Sequence, residues 1–291
     1  MKDFIILTDS GCDLSLQMVK ELNISYIGLV CNFEGKEYIE DCGQSLDYKI
    51  FYDAIRNGAL PTTSQVNTFR FYEEFEKHVK EGKGVLYIAF SSALSGTYNS
   101  SLVARNDILE NYPNADISII DTKAASTGVG LLVYYAAKMK AEGKSKDEIV
   151  SWIEENKLNI CHLLTVNDLN HLKRGGRISP TTAALGGLLN IKPVLYVNNE
   201  GQLKNFTKAK GSKGALRILF QKFEDHVINP ENHVIFISHA DNAKGAETLA
   251  NMIREKYPVK DIIINYIGSV VGSHTGTGSI IFIFYGTNRE P

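Results

Sequence analysis

Five short predicted loops, rich in hydroxyl side chains and glycine, could bind an anion. Each adjoins a predicted strand or helix: residues 8–11, 61–65, 91–97, 121–123 and 272–278. Serine and threonine hydroxyls donate to a carboxylate or phosphate, and free N–H groups at a helix start do the same. The alternative is helix capping, because Ser, Thr and Asp are the preferred N-cap residues. Capping explains any one segment best, whereas five in one chain favour a shared anion site.

His274 is a second candidate for chemistry. It lies among the glycine and hydroxyl residues of segment 272–278 rather than on an apolar helical face. An imidazole there can donate to an oxyanion, and protonation strengthens that donation. The alternative is an ordinary histidine of a surface loop. Ser95, His274 and Asp9 are also the residue types of a hydrolase triad, but no Gly-x-Ser-x-Gly motif surrounds Ser95.

Several motifs of phosphate, nucleotide and metal sites are missing from the sequence. It has no Gly-x-x-x-x-Gly-Lys-Ser/Thr phosphate loop and no His-Glu-x-x-His. Gly128-Val129-Gly130 lacks the third glycine of a dinucleotide fingerprint and falls inside a predicted helix. The four cysteines form no Cys-x-x-Cys pair, so we expect reduced thiols and no metal site.

One stretch of the chain is strongly basic. Residues 169–217 contain a single acid, Glu200, and these lysines and arginines: Lys173, Arg174, Arg177, Lys192, Lys204, Lys208, Lys210, Lys213 and Arg217. A solvated surface is the usual explanation of scattered lysines. The imbalance stands out in a protein of formal net charge −2, so a phosphate or an acidic partner is the other interpretation.

The elements that must position these residues alternate between strand and helix in the first part of the chain. Strands are predicted at 4–7, 24–30, 84–90 and 115–120, and helices at 48–56, 69–80, 97–109, 126–141 and 146–155. This β-α rhythm is typical of a parallel, doubly wound sheet. We therefore predict an α/β protein whose N-terminal domain spans 1–157.

The second part, 158–291, has a different pattern. Strands are predicted at 159–165, 191–197, 203–207, 234–238, 262–266 and 279–284, and helices at 180–189, 212–226 and 243–256. The turn Asn198-Asn199-Glu200-Gly201 favours antiparallel pairing of the strands around it. We expect a second α/β lobe with a mixed or antiparallel sheet.

Composition narrows the function classes. Lysine plus arginine total 31 and aspartate plus glutamate 33, which argues against nucleic-acid binding through a basic surface. The apolar runs fall far short of the ~20 residues that span a bilayer, and the N-terminal run is too short for a signal peptide. We expect a cytoplasmic protein that does not insert into membranes.

Taken together, the motifs resemble those of the bacterial DegV family, fatty-acid-binding proteins that include the lipid-binding subunits of fatty acid kinase. The similarity spans residues 4–286 and rests on six segments in order: Thr8-Asp9-Ser10, Thr63-Ser64-Gln65, the stretch 94–98 (Leu-Ser-Gly-Thr-Tyr), the stretch 172–179 (Leu-Lys-Arg-Gly-Gly-Arg-Ile-Ser), Ile191-Lys192-Pro193 and the stretch 273–276 (Ser-His-Thr-Gly). Any one of them alone would be weak.

The resemblance implies a two-lobed α/β protein that buries one fatty acid between its lobes. The carboxylate-binding residues of the family fall on Thr63, Ser95 and His274, with Gly96 and Arg177 as supporting residues. It also implies delivery of the lipid to a separate ATP-dependent kinase subunit that forms an acyl phosphate for lipid synthesis. Arg174, Lys208 and Lys210 are then the candidates for docking that subunit. No catalytic residue, cofactor or metal is expected.

The chain departs from the family pattern at two places. Val66 follows Thr-Ser-Gln where proline is common, and Gly11-Cys12 stands where Thr-Ser is common. Both changes affect loop shape and leave the three proposed contacts in place. The alternative class is a stand-alone enzyme, either a serine hydrolase or a small-molecule kinase that uses the same loops.

Overall fold

The computed structural model describes residues 3–179 and 190–290 as an α/β protein with three sheets. In chain order its strands are β1 (Phe4–Asp9), β2 (Ser25–Ile27), β3 (Val30–Phe33), β4 (Lys36–Ile39), β5 (Thr62–Ser64), β6 (Gly84–Ala89), β7 (Ile117–Asp121), β8 (Ile160–Thr165), β9 (Ile191–Val197), β10 (Leu203–Lys210), β11 (Val234–His239), β12 (Asp261–Tyr266) and β13 (Ile280–Tyr285).

The α-helices alternate with these strands. They are α1 (Leu16–Glu21), α2 (Tyr48–Arg56), α3 (Thr68–Lys80), α4 (Thr97–Asn111), α5 (Thr127–Ala141), α6 (Lys146–Asn156), α7 (Asn170–Arg174), α8 (Gly211–His226), α9 (Ala243–Arg254) and α10 (Ser269–Thr275). Single 3-10 turns lie at Ser10–Cys12, Lys157–Asn159 and Pro230–Asn232. The predicted helix at 180–189 lies outside the described residues.

The N-terminal sheet is the predicted parallel one. Its order is β2-β1-β6-β7, and every neighbouring pair is parallel. Strand β6 is buried at each position, which is typical of a parallel strand covered on both faces. Helices α3 and α4 pack together beside this sheet, and α5 and α6 form a second packed pair. The doubly wound α/β prediction is therefore confirmed.

A small antiparallel sheet of order β4-β3-β5 was not predicted. The predicted strand 24–30 is wrong as a single element, because the chain divides it into β2 and β3. The break comes at Gly28, where an added Cβ would lie 2.5 Å from the carbonyl oxygen of Glu40. Segment 61–65 is likewise not a loop throughout, since β5 places Thr63 beside Cys31 of β3.

The second sheet is mixed, as expected. Its order is β10-β9-β8-β13-β11-β12, antiparallel throughout except for the parallel pair β11 and β12. The predicted hairpin of β9 and β10 forms, with Leu203 opposite Val197. The predicted limits of these strands are correct to within a few residues.

Helix α5 joins the two larger sheets. It packs on β1 and β6 of the parallel sheet and on β8, β11 and β13 of the mixed one. Near the C-terminus, the buried side chain of Arg289 donates to carbonyl groups from both parts of the chain, including Lys123 and Ile160. The predicted boundary at 158 falls in the turn between α6 and β8, and it stays a prediction. Across 3–179 and 190–290, no helix is both long and apolar enough to cross a bilayer.

Candidate functional site

A largely apolar cavity lies where the parallel sheet, the mixed sheet and α10 meet. Strands β1 and β6 are adjacent, but the chain continues from them to opposite sides of the sheet, to β2 and β7. The loops after the two strands therefore diverge, and such switch points are where open α/β sheets bind ligands. Those loops contribute Gly11, Phe90, Leu94 and Ser95 to the wall.

The polar part of the wall contains the main predicted residues. Thr63, Ser95, Arg177 and His274 all line this cavity, although they come from four separate parts of the chain. Much of the remaining wall is apolar and includes Leu29, Leu164, Val197, Val270 and Ile281. The arrangement can enclose an apolar chain and present hydrogen-bonding groups to one polar end.

Thr63 and His274 are hydrogen-bonded directly. The Oγ1 atom of Thr63 lies 2.8 Å from Nε2 of His274. The backbone of Gly175 packs against the other side of the imidazole, where an added Cβ would lie 2.0 Å from Nδ1. The ring is thus confined between a strand of the small sheet and the end of α7.

His274 is neutral at physiological pH. Burial, together with the guanidinium groups of Arg177 and Arg174, lowers its pKa to about 4. An anion that enters beside the ring would oppose this effect, because a nearby negative charge favours the imidazolium. The expected gain in donor strength through protonation therefore does not apply to this ligand-free site at neutral pH.

The interpretation of 272–278 as a glycine-rich loop is wrong. Helix α10 extends through Thr275, so His274 lies in its last turn. Two buried acids hold the start of this helix: Asp13 accepts from the Gly268 N–H at 3.0 Å, and Glu40 accepts from the Ser269 N–H at 2.9 Å. Carboxyl oxygens at a helix N-terminus satisfy free N–H donors of its first turn.

Ser95 belongs to a local hydroxyl network. Its Oγ lies 2.9 Å from Oγ1 of Thr97, which also accepts from the Val66 N–H at 3.4 Å. Proline at position 66 would have no N–H to donate, so this departure from the family pattern adds a link between two site loops. Gly96 does not line the cavity; it lets Gln65 pack closely, since an added Cβ would lie 2.0 Å from the Gln65 Oε1 atom.

Arg177 supports the wall through backbone contacts. Its Nε donates to the Leu94 carbonyl at 3.0 Å, and its Nη1 donates to the Gly175 carbonyl at 2.6 Å. The side chain thus joins the loop that carries Ser95 to the loop that packs on His274. It also contributes positive charge beside the imidazole.

The Ser95–His274–Asp9 triad is not assembled. His274 Nε2 bonds to Thr63, and Ser95 bonds to Thr97. Asp9 is buried and accepts from the Tyr87 hydroxyl and from two backbone N–H groups, so it orients no histidine. A serine nucleophile needs a hydrogen-bonded base, and this geometry supplies none.

Not all five hydroxyl segments converge. Segments 61–65, 91–97 and 272–278 reach the cavity, and segment 8–11 does so through Gly11. Segment 121–123 is used elsewhere, since Asp121 accepts from the Ser92 N–H and pairs with Lys123. Its hydroxyl serves the fold as well, because Thr122 donates to the Ala89 carbonyl.

The predicted docking residues lie outside the cavity wall. Arg174 is exposed at the end of α7, with Nη2 2.8 Å from Nδ1 of His171. Lys208 and Lys210 are exposed on β10, an edge strand of the mixed sheet. For residues 3–179 and 190–290, no group of three His, Cys, Asp or Glu side chains could hold a metal ion.

Comparison with known proteins places this geometry in a family. The family model described as "Uncharacterised protein, DegV family" matches residues 3–286. The chain belongs to the DegV family. It is 60% identical over 291 residues to a DegV domain-containing protein of Clostridium perfringens, covering 100% of both chains.

Solved structures of DegV proteins share the fold. One, described as fatty acid binding of a DegV family protein from Thermus thermophilus, superposes with a TM-score of 0.88 at 29% identity, covering 99% of this chain and 100% of that one. The fatty acid kinase B3 protein of Streptococcus pneumoniae, solved loaded with linoleic acid, has a TM-score of 0.84 at 23% identity, with 97% and 99% covered. At that identity the second comparison supports the fold alone.

Three features of this DegV protein's site were missed from the sequence. Thr275 follows His274, lines the cavity, and its buried Oγ1 has no partner among the described residues. Gly175 gives His274 its room, and Asp13 and Glu40 hold α10. The Ser-His-Thr-Gly motif could have pointed to Thr275, but no local signal distinguishes buried acids from exposed ones.

We predict that Gly175→Ala displaces the His274 ring. The new methyl group cannot coexist with Nδ1 at 2.0 Å, and overpacking of this kind costs about 1–3 kcal/mol. Urea unfolding should show that loss, and the imidazole NMR signals of His274 should shift. The control is Gly214→Ala in α8, where the nearest atom to the new Cβ is 3.6 Å away and a small stabilisation is expected. Equal stability and unchanged His274 signals in Gly175→Ala would contradict the packing.

The lowered pKa of His274 predicts a pH dependence. Its folded pKa of about 4 is below the ordinary value of 6.5, so its contribution to stability is complete above pH 6.5. That contribution is lost as the pH falls from 6.5 through about 4. The unfolding free energy of delipidated wild type should therefore fall more steeply over this range than that of His274→Gln. Parallel curves for the two proteins would refute the prediction.

Proposed function

We propose that this protein binds a long-chain fatty acid, with the tail in the cavity and the carboxylate held by Thr63, Ser95 and His274. The observation that carries the proposal is the Thr63–His274 pair on the wall of a mostly apolar cavity. The Thermus thermophilus relative, described by its fatty acid binding, supports the ligand class.

Burial of the tail supplies most of the affinity. At about 0.8 kcal/mol per methylene, a chain of roughly 14 methylenes gains about 11 kcal/mol in gross transfer free energy. A hydrogen bond to a charged group contributes only about 1.5–3 kcal/mol net. The polar residues therefore set the orientation of the ligand more than its affinity.

The head-group contacts follow from the protonation state of the site. A carboxylate only accepts hydrogen bonds, so Thr63 and Ser95 must turn their hydroxyl protons toward it. Neutral His274 has one N–H, and when Nε2 carries it and donates to Thr63 Oγ1, the Thr63 proton is free to bond the carboxylate. Thr275 has a further hydroxyl with no partner among the described residues. Arg177 adds positive charge from behind the ring without leaving its carbonyl partners.

The second part of the proposal is presentation of the bound acid to a separate ATP-dependent kinase subunit in the cytoplasm. Phosphorylation of the carboxylate would give an acyl phosphate for lipid synthesis, so this chain would act as a non-catalytic subunit. Two observations support a carrier role: Ser95 is bonded to Thr97 rather than to a base, and one protein of this fold is named as part of a fatty acid kinase.

Lys208 and Lys210 are the best residues to test for docking the kinase, with Arg174 as a third contact. Both lysines are exposed and hold no ion pair within the described residues. Arg177 is unsuitable for charge reversal, because its side chain braces the cavity wall. Lysines on an edge strand also prevent pairing with other chains, so the test must separate docking from solubility.

Thr63→Ala and Ser95→Ala should each weaken carboxylate binding. Loss of one hydrogen bond to a charged group, worth about 1.5–3 kcal/mol, corresponds to roughly a 10- to 150-fold weaker dissociation constant. Calorimetric titration of delipidated protein measures this, and native mass spectrometry shows whether a fatty acid co-purifies. Thr62→Ala, on the same strand but exposed, is the matched control and should bind normally. Normal affinity in both site variants would refute the assignment, and turnover of acyl esters that Ser95→Ala abolishes would favour a hydrolase.

The double variant Lys208→Glu, Lys210→Glu should bind fatty acid normally but support slower acyl-phosphate formation with a fatty acid kinase ATP-binding subunit. Charge reversal replaces attraction with repulsion, so the loss should shrink at high salt. Lys244→Glu, an exposed reversal on α9, is the control and should react like wild type. Wild-type turnover in the double variant, with both proteins monodisperse, would rule out docking at β10.

A further inference from the structure

His162 is a buried histidine that the carboxylate site does not use. It lies on β8, lines the same cavity and is only 1% exposed. Its Nδ1 atom is fully enclosed, whereas its Nε2 atom is not, and neither nitrogen makes a hydrogen bond to any described residue. Buried polar groups in folded proteins are nearly always paired, so an unpaired one in a cavity wall points to a ligand.

Other polar side chains of the cavity wall differ from His162 because they have hydrogen-bond partners. Ser126 donates to Asp13, Thr63 pairs with His274, and Ser95 pairs with Thr97. Among the described residues of the wall, buried polar atoms without partners occur only at His162 and at Thr275. Thr275 adjoins His274 and so belongs to the head-group end.

His162 lies farther along the cavity than the head-group residues. Thr165, three residues farther along β8, pairs with Ile280 at the end of β8 that is nearest α10. His162 is three residues away from that end, a distance of about 10 Å at the rise of a strand. Val197 and Leu203, paired across β9 and β10, are apolar parts of the same wall. With the carboxylate at His274, as proposed above, this position corresponds to a point part-way along the acyl chain.

The fold makes specific room for this ring. On α5, an added Cβ at Gly128 would lie 2.2 Å from Cε1 of His162, so a glycine is needed behind the imidazole. Burial, reinforced by the charge of Arg289, lowers the pKa of His162 well below its ordinary value. The neutral ring has one N–H donor and one acceptor nitrogen, which complements a hydroxyl group.

We propose that the cavity is adapted to a long-chain fatty acid with a hydroxyl group part-way along its chain, hydrogen-bonded by His162. This inference rests on the proposed fatty-acid function and adds the substrate class. An unsubstituted chain would leave Nε2 of His162 unpaired beside methylene groups, whereas a mid-chain hydroxyl would form a hydrogen bond with it. The discrimination comes from the cost of an unsatisfied buried polar group.

The test compares octadecanoic acid with a hydroxyoctadecanoic acid substituted in the middle of the chain, by calorimetric titration of delipidated wild type. One hydrogen bond should make the hydroxy acid bind about tenfold more tightly. His162→Leu should abolish the preference, His162→Gln should retain much of it, and Val197→Ala should weaken both ligands without changing their ratio. Thermal melting confirms that each variant is folded.

Imidazole NMR provides a second readout. The His162 signals should shift with the mid-chain hydroxy acid, and much less with octadecanoic acid or with an isomer hydroxylated next to the carboxylate. Equal affinities in wild type, or a preference that survives His162→Leu, would overturn the inference while leaving fatty-acid binding intact. If wild type binds none of these acids, the proposed function itself fails.

Discussion

The anchoring of α10 by two buried carboxyl groups is the interaction on which the site depends. Asp13, at the end of the first 3-10 turn, and Glu40, after β4, accept the N–H groups of Gly268 and Ser269. Tyr48 donates to Glu40, and the Tyr52 hydroxyl donates to the Ile267 carbonyl at 2.6 Å. The register of α10 against the small sheet follows from these contacts, and this register brings His274 to Thr63.

Burial of Asp13 has an electrostatic cost that is visible in its pKa. Burial raises the pKa of Asp13 to about 8, although hydrogen bonds from Ser126 and Gly268 oppose the shift. Burial lowers the pKa of His274, because a cationic ring is disfavoured by the same loss of water. Both ends of α10 thus have groups for which neutrality is favoured. A bound fatty acid carboxylate would place a negative charge beside His274, at the C-terminal end of α10.

The cavity combines a polar end, whose contacts with a ligand are directional, with an apolar wall, whose contacts are not. Hydrophobic burial is non-directional, so the tail contributes affinity without fixing the position of the ligand. The Thr63–His274 pair and the Ser95 network are directional, and Arg177 ties their supporting loops together. His162 is a polar residue in the otherwise apolar part of the wall. In our proposal it recognises a hydroxyl group on the acyl chain, away from the carboxylate.

Much of the fold could be predicted because it depends on local patterns. The apolar run of β6 marks a strand covered on both faces, and the helical spacing at 48–56 matches α2. The small sheet was missed because its strands are three or four residues long and partly polar, so their pairing partners decide their conformation. For the same reason α10, with seven residues and three glycine or serine positions inside, resembles a loop until Asp13 and Glu40 hold it.

The sequence by itself determined the residue types: three hydroxyl or imidazole candidates in motifs typical of the family, and the α/β order that brings loops to one sheet edge. Tertiary structure alone decided that Thr63 bonds His274, that Arg177 braces backbone rather than facing solvent, and that His162 lacks a partner. Hydrogen-bond partners separated by some 211 positions are set by how sheets and helices pack, and no local spacing encodes that.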